Sequence, residues 1–327
     1  MNRIKEIPIA GITDFRIGNV QNKEAGTGVT AVIFEKGARV GVDVSGGGPA
    51  SRETPLASAL TADNPVNAIV FSGGSAYGLA ASDGVMRWLE ERGIGYDTRY
   101  AKVPLVCQSC IYDLGYRRAD VRPDAAMGYA ACEASLRNEP VCGSVGAGCG
   151  ATVGKICGIA RASKAGLGLY AASLGKLWVA AIVVVNALGD IYDPETGRQV
   201  AGLRSEDGAG FADSRQQLYR ISEPQDLFAQ AASKAESDCG ARPGGNTTIG
   251  AVITNAEFSK GEMSKVASMT RNAYARCIRP VGTMADGDTI YAASVGGIRA
   301  DLNVVGVLAA DVMARAILRA VETAEET

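Results

Sequence analysis

The sequence predicts a layered α/β fold, with strands in the middle and helices outside. Short apolar runs of strand length alternate with stretches of helical length along the chain. Residues 177–185 form a continuous valine-rich run, as expected of a strand that is buried on both faces. The last helical stretch, residues 303–325, is apolar except for one polar stripe, which predicts a helix packed between layers. The stripe consists of Asp311, Arg315, Arg319 and Glu322.

The first half of the chain contains three predicted strands and two predicted helices. The strands are expected at residues 31–34, 40–44 and 66–71, and the helices at residues 77–92 and 123–136. The glycine-rich segment 45–49 reads as the turn that closes the second strand. Pro123 suits the first turn of the second helix, where its missing N–H has no partner to lose.

The second half of the chain also alternates between predicted strands and helices, and a polar connection interrupts it. Residues 202–245 are dominated by charged residues, glycine and other polar residues, with one helical stretch near residues 225–236. This segment reads as a solvated connection. After this connection, strands are predicted at residues 249–254 and 289–294, and a helix is predicted at residues 260–278.

Composition excludes several classes of function. Histidine is absent, which removes Ser-His-Asp and Cys-His catalysis, histidine-ligated metal sites and histidine pH switches. The net charge is −2 and no long basic run occurs, so neither nucleic acid nor a membrane surface is an expected partner. The N-terminal segment carries Glu6 too early for a signal peptide, and no apolar run has membrane-spanning length. A cytoplasmic protein is therefore expected.

The eight cysteines are expected to be reduced thiols in that compartment. Cys107 and Cys110 form a C-x-x-C pair, which leaves a thiol-redox or metal-binding protein as one alternative. The other cysteines form no second pair of this kind, and tetrahedral zinc needs four ligands. We therefore expect neither a metal nor a cofactor.

The Asn246-Thr247 pair offers a route to catalysis without histidine. A threonine at a free N-terminus carries a hydroxyl nucleophile and an α-amine, and that amine titrates at about 7.7–8.0 and can accept the hydroxyl proton. Such a terminus forms when the hydroxyl attacks the preceding carbonyl, and the glycines before Asn246 allow the strained backbone that this attack needs. Without further context, Gly-Gly-Asn-Thr-Thr is more often a plain loop.

Nine motifs occur in order between Gly11 and Val321. They are GITDFRIGN, VDVSGGGPASRET, SGGSAYGLAASDGVMRWLEERG, VPLVCQSCIYDLG, RPDAAMGYAACEA, VGAGCGATVGK, VVVNALGDIYDPETG, NTTIGAVITNA and IRPVGTMADGDTIYA. In this order they resemble the DmpA-type L-aminopeptidase/D-esterase family of autoprocessing hydrolases. Within that family, the site residues are most similar to those of the nylon-oligomer (6-aminohexanoate oligomer) hydrolase.

The resemblance implies a four-layer α-β-β-α sandwich, like that of the N-terminal-nucleophile hydrolases, formed by a single domain over residues 1–327. It implies cleavage between Asn246 and Thr247 into a 1–246 α fragment and a 247–327 β fragment. The cleaved αβ protomers are expected to form a homo-oligomer. The implied activity is that of an aminopeptidase or amidase, which hydrolyses amide bonds of small peptides or amino-acid amides with Thr247 as nucleophile and without a cofactor.

Five further residues match site positions of that family. Asp286 and Asp288 match an acidic pair beside the nucleophile, where carboxylates would orient its amine and hydroxyl. Asn186 matches the oxyanion-hole residue, and its place at the end of a buried strand would hold the amide donor rigidly. Lys155 and Tyr112 match positions that line the same site. Lys155 would lower the pKa of a neighbouring amine or hold the oxyanion, and Tyr112 would donate its hydroxyl.

Two other functions stay open besides the thiol-based one. A self-cleaving acyltransferase of the ornithine acetyltransferase type also cuts itself before a threonine. A catalytically silent oligomeric scaffold would be favoured by loss of Thr247, Asn186 or the acidic pair, and all of these residues are present. The substrate also stays open, between an L-aminoacyl amide, a β-peptide, a D-amino-acid ester and an oligoamide.

Overall fold

The computed structural model describes residues 3–220 and 245–325. In these ranges the α-helices are α1 (Ala81–Glu90), α2 (Ala125–Ser135), α3 (Ser214–Tyr219), α4 (Lys260–Cys277) and α5 (Leu302–Glu322). The strands are β1 (Ile4–Glu6), β2 (Arg16–Asn22), β3 (Thr27–Val44), β4 (Ala50–Arg52), β5 (Val66–Ser72), β6 (Tyr96–Asp97), β7 (Lys102–Val103), β8 (Val106–Cys110), β9 (Thr152–Val153), β10 (Ser163–Lys164), β11 (Leu167–Leu174), β12 (Leu177–Asn186), β13 (Asp190–Tyr192), β14 (Gln199–Ala201), β15 (Thr247–Ala256), β16 (Ile278–Arg279) and β17 (Thr289–Ile298).

One long strand, β3, belongs to two sheets. Its residues 39–44 pair with β17 in sheet I, which has the order β1-β11-β12-β15-β17-β3. Its residues 27–33 pair with β2 and β5 in sheet II, which has the order β2-β3-β5-β8-β4. Gly37 lies between the two halves at a φ of 75°, in the left-handed region that favours glycine. The chain therefore turns from one sheet into the other without ending the strand.

Three apolar clusters separate four layers. The first lies between α4, α5 and sheet I and includes Val183, whereas its neighbour Ile182 belongs to the second cluster, between the two sheets. Ile69 of sheet II also faces this middle cluster, whereas Val70 faces α1 and α2 in the third. Successive residues of a strand point to opposite faces, so each sheet is covered on both sides. The layer order is helix, sheet, sheet, helix, which confirms the predicted α-β-β-α sandwich.

The predicted elements that fall on described residues are present, with changes at their ends. The strands predicted at residues 31–34 and 40–44 are parts of the single strand β3, because Gly37 bends the chain without breaking it. The helix predicted over residues 77–92 starts as a 3-10 helix at Ser75–Ala80 and becomes α-helical at α1. The prediction that Pro123 lies in the first turn of the second helix is wrong. Helix α2 begins at Ala125, because the side chain of Asp124 caps it by accepting the N–H of Met127 at 2.9 Å, and Pro123 precedes this cap.

Helix α5 has the predicted polar stripe. Asp311, Arg315 and Glu322 are exposed and Arg319 is partly exposed, while most of the remaining helix surface is buried. The polar connection is described only up to residue 220 and from residue 245, so the helical stretch predicted near residues 225–236 lies outside the described residues. No helix in the described ranges has the length and apolar character needed to cross a membrane.

The C-x-x-C pair lies in β8, and its geometry contradicts the thiol-based alternative. Residues three apart in a strand point to opposite faces. The Cys107 thiol accordingly donates to the carbonyl of Glu53 at 3.4 Å, whereas the Cys110 sulfur lies 3.0 Å from the hydroxyl of Ser72. Burial raises the pKa of both thiols to about 12, so neither is a ready thiolate. Cys157 is disulfide-bonded, so the prediction of reduced thiols is wrong for that residue.

Candidate functional site

Two of the predicted site residues lie opposite each other in adjacent strands of sheet I. Thr247 is the first residue of β15 and Asn186 is the last residue of β12, and the two form a pair in the antiparallel register. Directly opposed residues in such a pair have Cα atoms about 4.5–5.5 Å apart. Thr247 is 4% exposed and Asn186 is fully buried. The sheet therefore brings these residues together although 61 positions separate them (247 − 186).

The peptide before Thr247 is held by the segment that leads into β17. The N–H of Asn246 donates to the carbonyl of Ala285 at 3.2 Å, and the Asn246 carbonyl accepts the N–H of Gly287 at 2.8 Å. Asn246 forms a parallel bridge with Asp286, an offset of 40 residues (286 − 246). The β15–β17 ladder has the same offset at Ile249 and Thr289 (289 − 249). The Asn246–Thr247 peptide therefore continues this ladder instead of lying in a loose loop.

The Thr247 hydroxyl contacts the carbonyl group of the peptide that precedes it. The Thr247 hydroxyl donates to the carbonyl oxygen of Asn246 at 2.5 Å. The Asn246 carboxamide is 1% exposed, and neither its oxygen nor its nitrogen has a hydrogen-bond partner among the described residues. A buried amide without partners is uncommon and costs about 1–3 kcal/mol.

The acidic pair lies beside Thr247 but binds backbone groups. The carboxylate of Asp288 accepts the N–H of Thr248 at 2.6 Å and that of Gly282 at 3.0 Å. The carboxylate of Asp286 accepts the N–H and the hydroxyl of Thr283 at 2.8 and 2.6 Å. Neither carboxylate forms a hydrogen bond with the Thr247 side chain in the intact chain. Burial raises the pKa of both, and with the added repulsion of Asp286 the pKa of Asp288 reaches about 8.

A buried lysine faces the same strand end. Lys155 donates from Nζ to the backbone oxygen and to the carboxamide oxygen of Asn186, both at 2.9 Å. Burial lowers the pKa of Lys155 to about 7, against the carboxylates of Asp286, Asp113 and Asp288, which raise it. The site therefore contains an amine that titrates near neutrality and carboxyl groups that keep their protons to unusually high pH.

The carboxamide of Asn186 is fixed from both ends. Its oxygen accepts the N–H of Thr152 at 3.1 Å in addition to the Lys155 ammonium, and its nitrogen donates to the backbone oxygen of Tyr112 at 3.0 Å. The amide nitrogen has two hydrogens, so among the described residues one N–H has no acceptor and could bind an incoming group. Tyr112 enters the network through this backbone oxygen, and its ring packs against Gly245.

A cavity of about 230 Å³ opens beside these residues. Its lining consists of Tyr112, Asp113, Gly115, Tyr116, Gly150, Thr152, Lys155, Gly158, Ile159 and Gly245. Asp113 is buried, and its carboxylate accepts the Thr27 hydroxyl and the Gly74 N–H, both at 2.7 Å. The sequence pattern does not single out Asp113, although it directly follows Tyr112. A small group with both polar and aromatic surface fits such a cavity.

A glycine turn, residues 45–48, forms hydrogen bonds with the backbone of the acidic pair. The N–H groups of Ser45 and Gly46 donate to the backbone oxygen of Asp288 at 3.0 and 3.2 Å, and the N–H of Gly48 donates to that of Asp286 at 2.9 Å. A Cβ atom at Gly46 would lie 2.3 Å from the Asp288 nitrogen, so only glycine permits this approach. The sequence predicts the segment Ser-Gly-Gly-Gly-Pro as a turn but does not indicate this contact.

Comparison with known proteins decides the family. The model of peptidase family S58 matches residues 8–327, almost the whole chain. The chain belongs to peptidase family S58. Among the described residues, no cluster of three or more acidic or cysteine side chains could hold a metal ion.

Relatives of this S58 chain include an uncharacterized aminopeptidase of Mycobacterium leprae, which is 37% identical over 91% of this chain and 83% of its own. A 6-aminohexanoate-oligomer endohydrolase of Kocuria is 31% identical over 93% of this chain and 83% of its own. The L-aminopeptidase D-Ala-esterase/amidase of Ochrobactrum anthropi, a variant of the Ntn hydrolase fold, superposes with a TM-score of 0.64 and 16% identity, covering 97% and 86% of the two chains.

These comparisons confirm the predicted family, the N-terminal-nucleophile-like fold and the class of reaction. The S58 chain is a hydrolase that acts on peptide or amide bonds. The threonine nucleophile, the cleavage before it and the roles of the six predicted site residues stay predictions, as does the homo-oligomer.

Proposed function

We propose that this S58 chain is an aminopeptidase or amidase that cuts itself between Asn246 and Thr247 and then uses Thr247 as its N-terminal nucleophile. The contact that carries the proposal is the 2.5 Å hydrogen bond from the Thr247 hydroxyl to the Asn246 carbonyl oxygen. The ladder on both sides of this peptide supports the proposal, because a fixed carbonyl and a fixed hydroxyl have little orientational freedom to lose before attack.

In self-cleavage, the Thr247 oxygen attacks the Asn246 carbonyl carbon, the carbon–nitrogen bond breaks, and the hydroxyl proton ends on the threonine nitrogen. Water then hydrolyses the resulting ester, which leaves a carboxylate on Asn246 and a free α-amine on Thr247.

In turnover, the α-amine accepts the hydroxyl proton while the oxygen attacks the amide carbonyl of the substrate. The remaining N–H of Asn186 would donate to the developing oxyanion, since its carboxamide is held in place by Thr152 and Lys155. The cavity lined by Tyr112 and Tyr116 would take the acyl or amine part of a short peptide or amide. The 6-aminohexanoate-oligomer endohydrolases among the relatives make oligoamides worth including with aminoacyl anilides in a substrate panel.

Self-cleavage predicts two fragments that remain together. The purified protein should separate on a denaturing gel into chains of 246 and 81 residues (327 − 246), the smaller beginning with Thr247. Intact-mass analysis and N-terminal sequencing check the position, and size-exclusion chromatography checks that the fragments elute together. A chain that stays whole after long incubation under native conditions would falsify the proposal.

Activity should depend on pH without any contribution from imidazole. We expect kcat/KM to rise with pH through an apparent pKa near neutrality, because the α-amine of Thr247 acts as a base only after losing its proton. The Lys155 ammonium favours the neutral amine, and its own pKa is lowered to about 7 by burial. Lys155→Met removes this cation and leaves the neighbouring carboxylates. The Thr247 amine should then keep its proton to higher pH, so the midpoint of the pH profile of kcat/KM should rise. An unchanged midpoint would show that Lys155 does not lower the pKa of the Thr247 amine.

A further inference from the structure

The carbonyl oxygen of Asn246 receives two hydrogen bonds, and the one from Gly287 has no role in the scheme above. The Gly287 nitrogen donates from a distance of 2.8 Å, and the Thr247 hydroxyl oxygen donates from a distance of 2.5 Å. When the hydroxyl oxygen attacks, its own hydrogen bond is lost and negative charge develops on the carbonyl oxygen. The Gly287 N–H is then the donor left at that atom.

We infer that the backbone N–H of Gly287 is the oxyanion donor of self-cleavage, and that processing and turnover use different donors. This inference rests on the proposed function, because it concerns the reaction that creates the Thr247 terminus. In the first step the Thr247 oxygen bonds to the carbonyl carbon and the electron pair of the carbonyl π bond moves to the oxygen. The Gly287 N–H stabilises that charge and keeps its proton, and the pair returns when the carbon–nitrogen bond breaks.

The direction of the carbonyl separates Gly287 from Asn186. Strand β15 lies between β12 and β17, and the Asn246 carbonyl points to the segment that leads into β17. Asn186 is on the other side, at the end of β12, where its amide nitrogen donates to Tyr112. The scissile oxygen of the chain itself therefore faces the backbone donor, and the Asn186 side chain stays available for a substrate that arrives from the cavity.

The Gly287 donor is rigid and has no room for a side chain. The peptides on both sides of it are anchored, because the Asp286 carbonyl accepts the N–H of Gly48 at 2.9 Å and the Gly287 carbonyl accepts the Thr289 hydroxyl at 3.1 Å. A Cβ atom at Gly287 would lie 2.8 Å from the Thr247 hydroxyl oxygen and 2.8 Å from the carbonyl oxygen of Gly48. Its φ is not in the left-handed region, so glycine is needed here for space. A donor fixed in this way costs no reorganisation when charge appears.

The direct test replaces the Gly287 amide by an ester, with glycolic acid at position 287, in a freshly translated chain. This removes the N–H and leaves shape and side chain almost unchanged. We expect the 81-residue fragment to appear on the order of 10²–10³ times more slowly than from the wild type, the loss typical of one oxyanion donor. The matched control is the same change at Ala292, which pairs with both neighbours of β17 and lies away from the peptide bond. It should process at the wild-type rate.

The outcomes separate the inference from the proposed function. An uncut wild type refutes the proposed function. A wild type that is cut, together with a 287 ester that is cut at the same rate, refutes the role of Gly287 alone. Circular dichroism of the two esters shows whether the 287 ester folds.

If the 287 ester does not fold, Gly287→Ala is the second test of the inference, because its methyl group would displace the Thr247 hydroxyl or the Gly287 N–H. Gly261→Ala in α4, where a methyl group meets nothing within 4 Å, is its control. Processing of Gly287→Ala at the rate of Gly261→Ala overturns the inference.

Discussion

Thr247→Ala is expected to abolish self-cleavage and amide hydrolysis together, because one oxygen is the nucleophile in both of the proposed reactions. The chain should stay whole at 327 residues, and turnover should fall by a factor on the order of 10⁴–10⁶, as when other hydrolases lose their nucleophile. The fold should persist, since the side chain is short and its one hydrogen bond among the described residues goes to the neighbouring carbonyl. A denaturing gel, anilide hydrolysis and circular dichroism measure the three quantities.

Thr247→Ser is the matched control. It keeps the hydroxyl and loses one methyl group, so it should still cut itself and retain measurable turnover. Wild-type activity in Thr247→Ala would assign the nucleophile elsewhere. Loss of folding in Thr247→Ala alone would instead mean that the hydroxyl and its hydrogen bond matter for the sheet, since both variants lack the methyl group.

Asn186→Ala is expected to lower kcat on a small amide by about 10²–10³-fold, the typical effect of a missing oxyanion donor. The structure adds a second consequence, because the carboxamide oxygen of Asn186 also accepts the Lys155 ammonium. Asn186→Asp separates the two effects. It retains an acceptor for Lys155 but removes the N–H donor.

If the donor matters, both Asn186 variants lose turnover to a similar extent. If only Asn186→Ala loses activity, Asn186 acts by holding Lys155, and the oxyanion assignment is wrong. Thermal unfolding of both variants shows how much of the loss comes from the fold, since an unpaired buried charge is costly.

The parts of the fold that the sequence predicts are those that local pattern controls. Strands β12, β15 and β17 have long apolar runs because both faces are covered. Strand β8 lacks such a run: its Gln108 and Ser109 are buried but are satisfied by Ser82 and Tyr291, which are distant in the sequence. Local pattern carries no sign of those partners, so this strand is not predictable from apolar periodicity.

The candidate site divides in the same way. Thr247, Asn186 and the acidic pair stand at ends of predicted strands, and the family motifs make them visible. Gly287 contributes only an N–H, and a glycine between two aspartates looks like any turn until the ladder register is known. Asp113 is buried by contacts with Thr27 and Gly74, which come from other parts of the chain.

The position of β15 and β17 in the middle of sheet I has a consequence for assembly. These strands lie within residues 247–325, together with α4, β16 and α5, and they are flanked by β12 and β3 from the earlier part of the chain. Before the proposed cut, one chain closes the sheet by an intramolecular search. After it, the central strands would belong to a separate molecule, so recovery from unfolding would become second order in protein and would slow with dilution. The cut protein would then depend on slow unfolding for its persistence, because it could not readily refold.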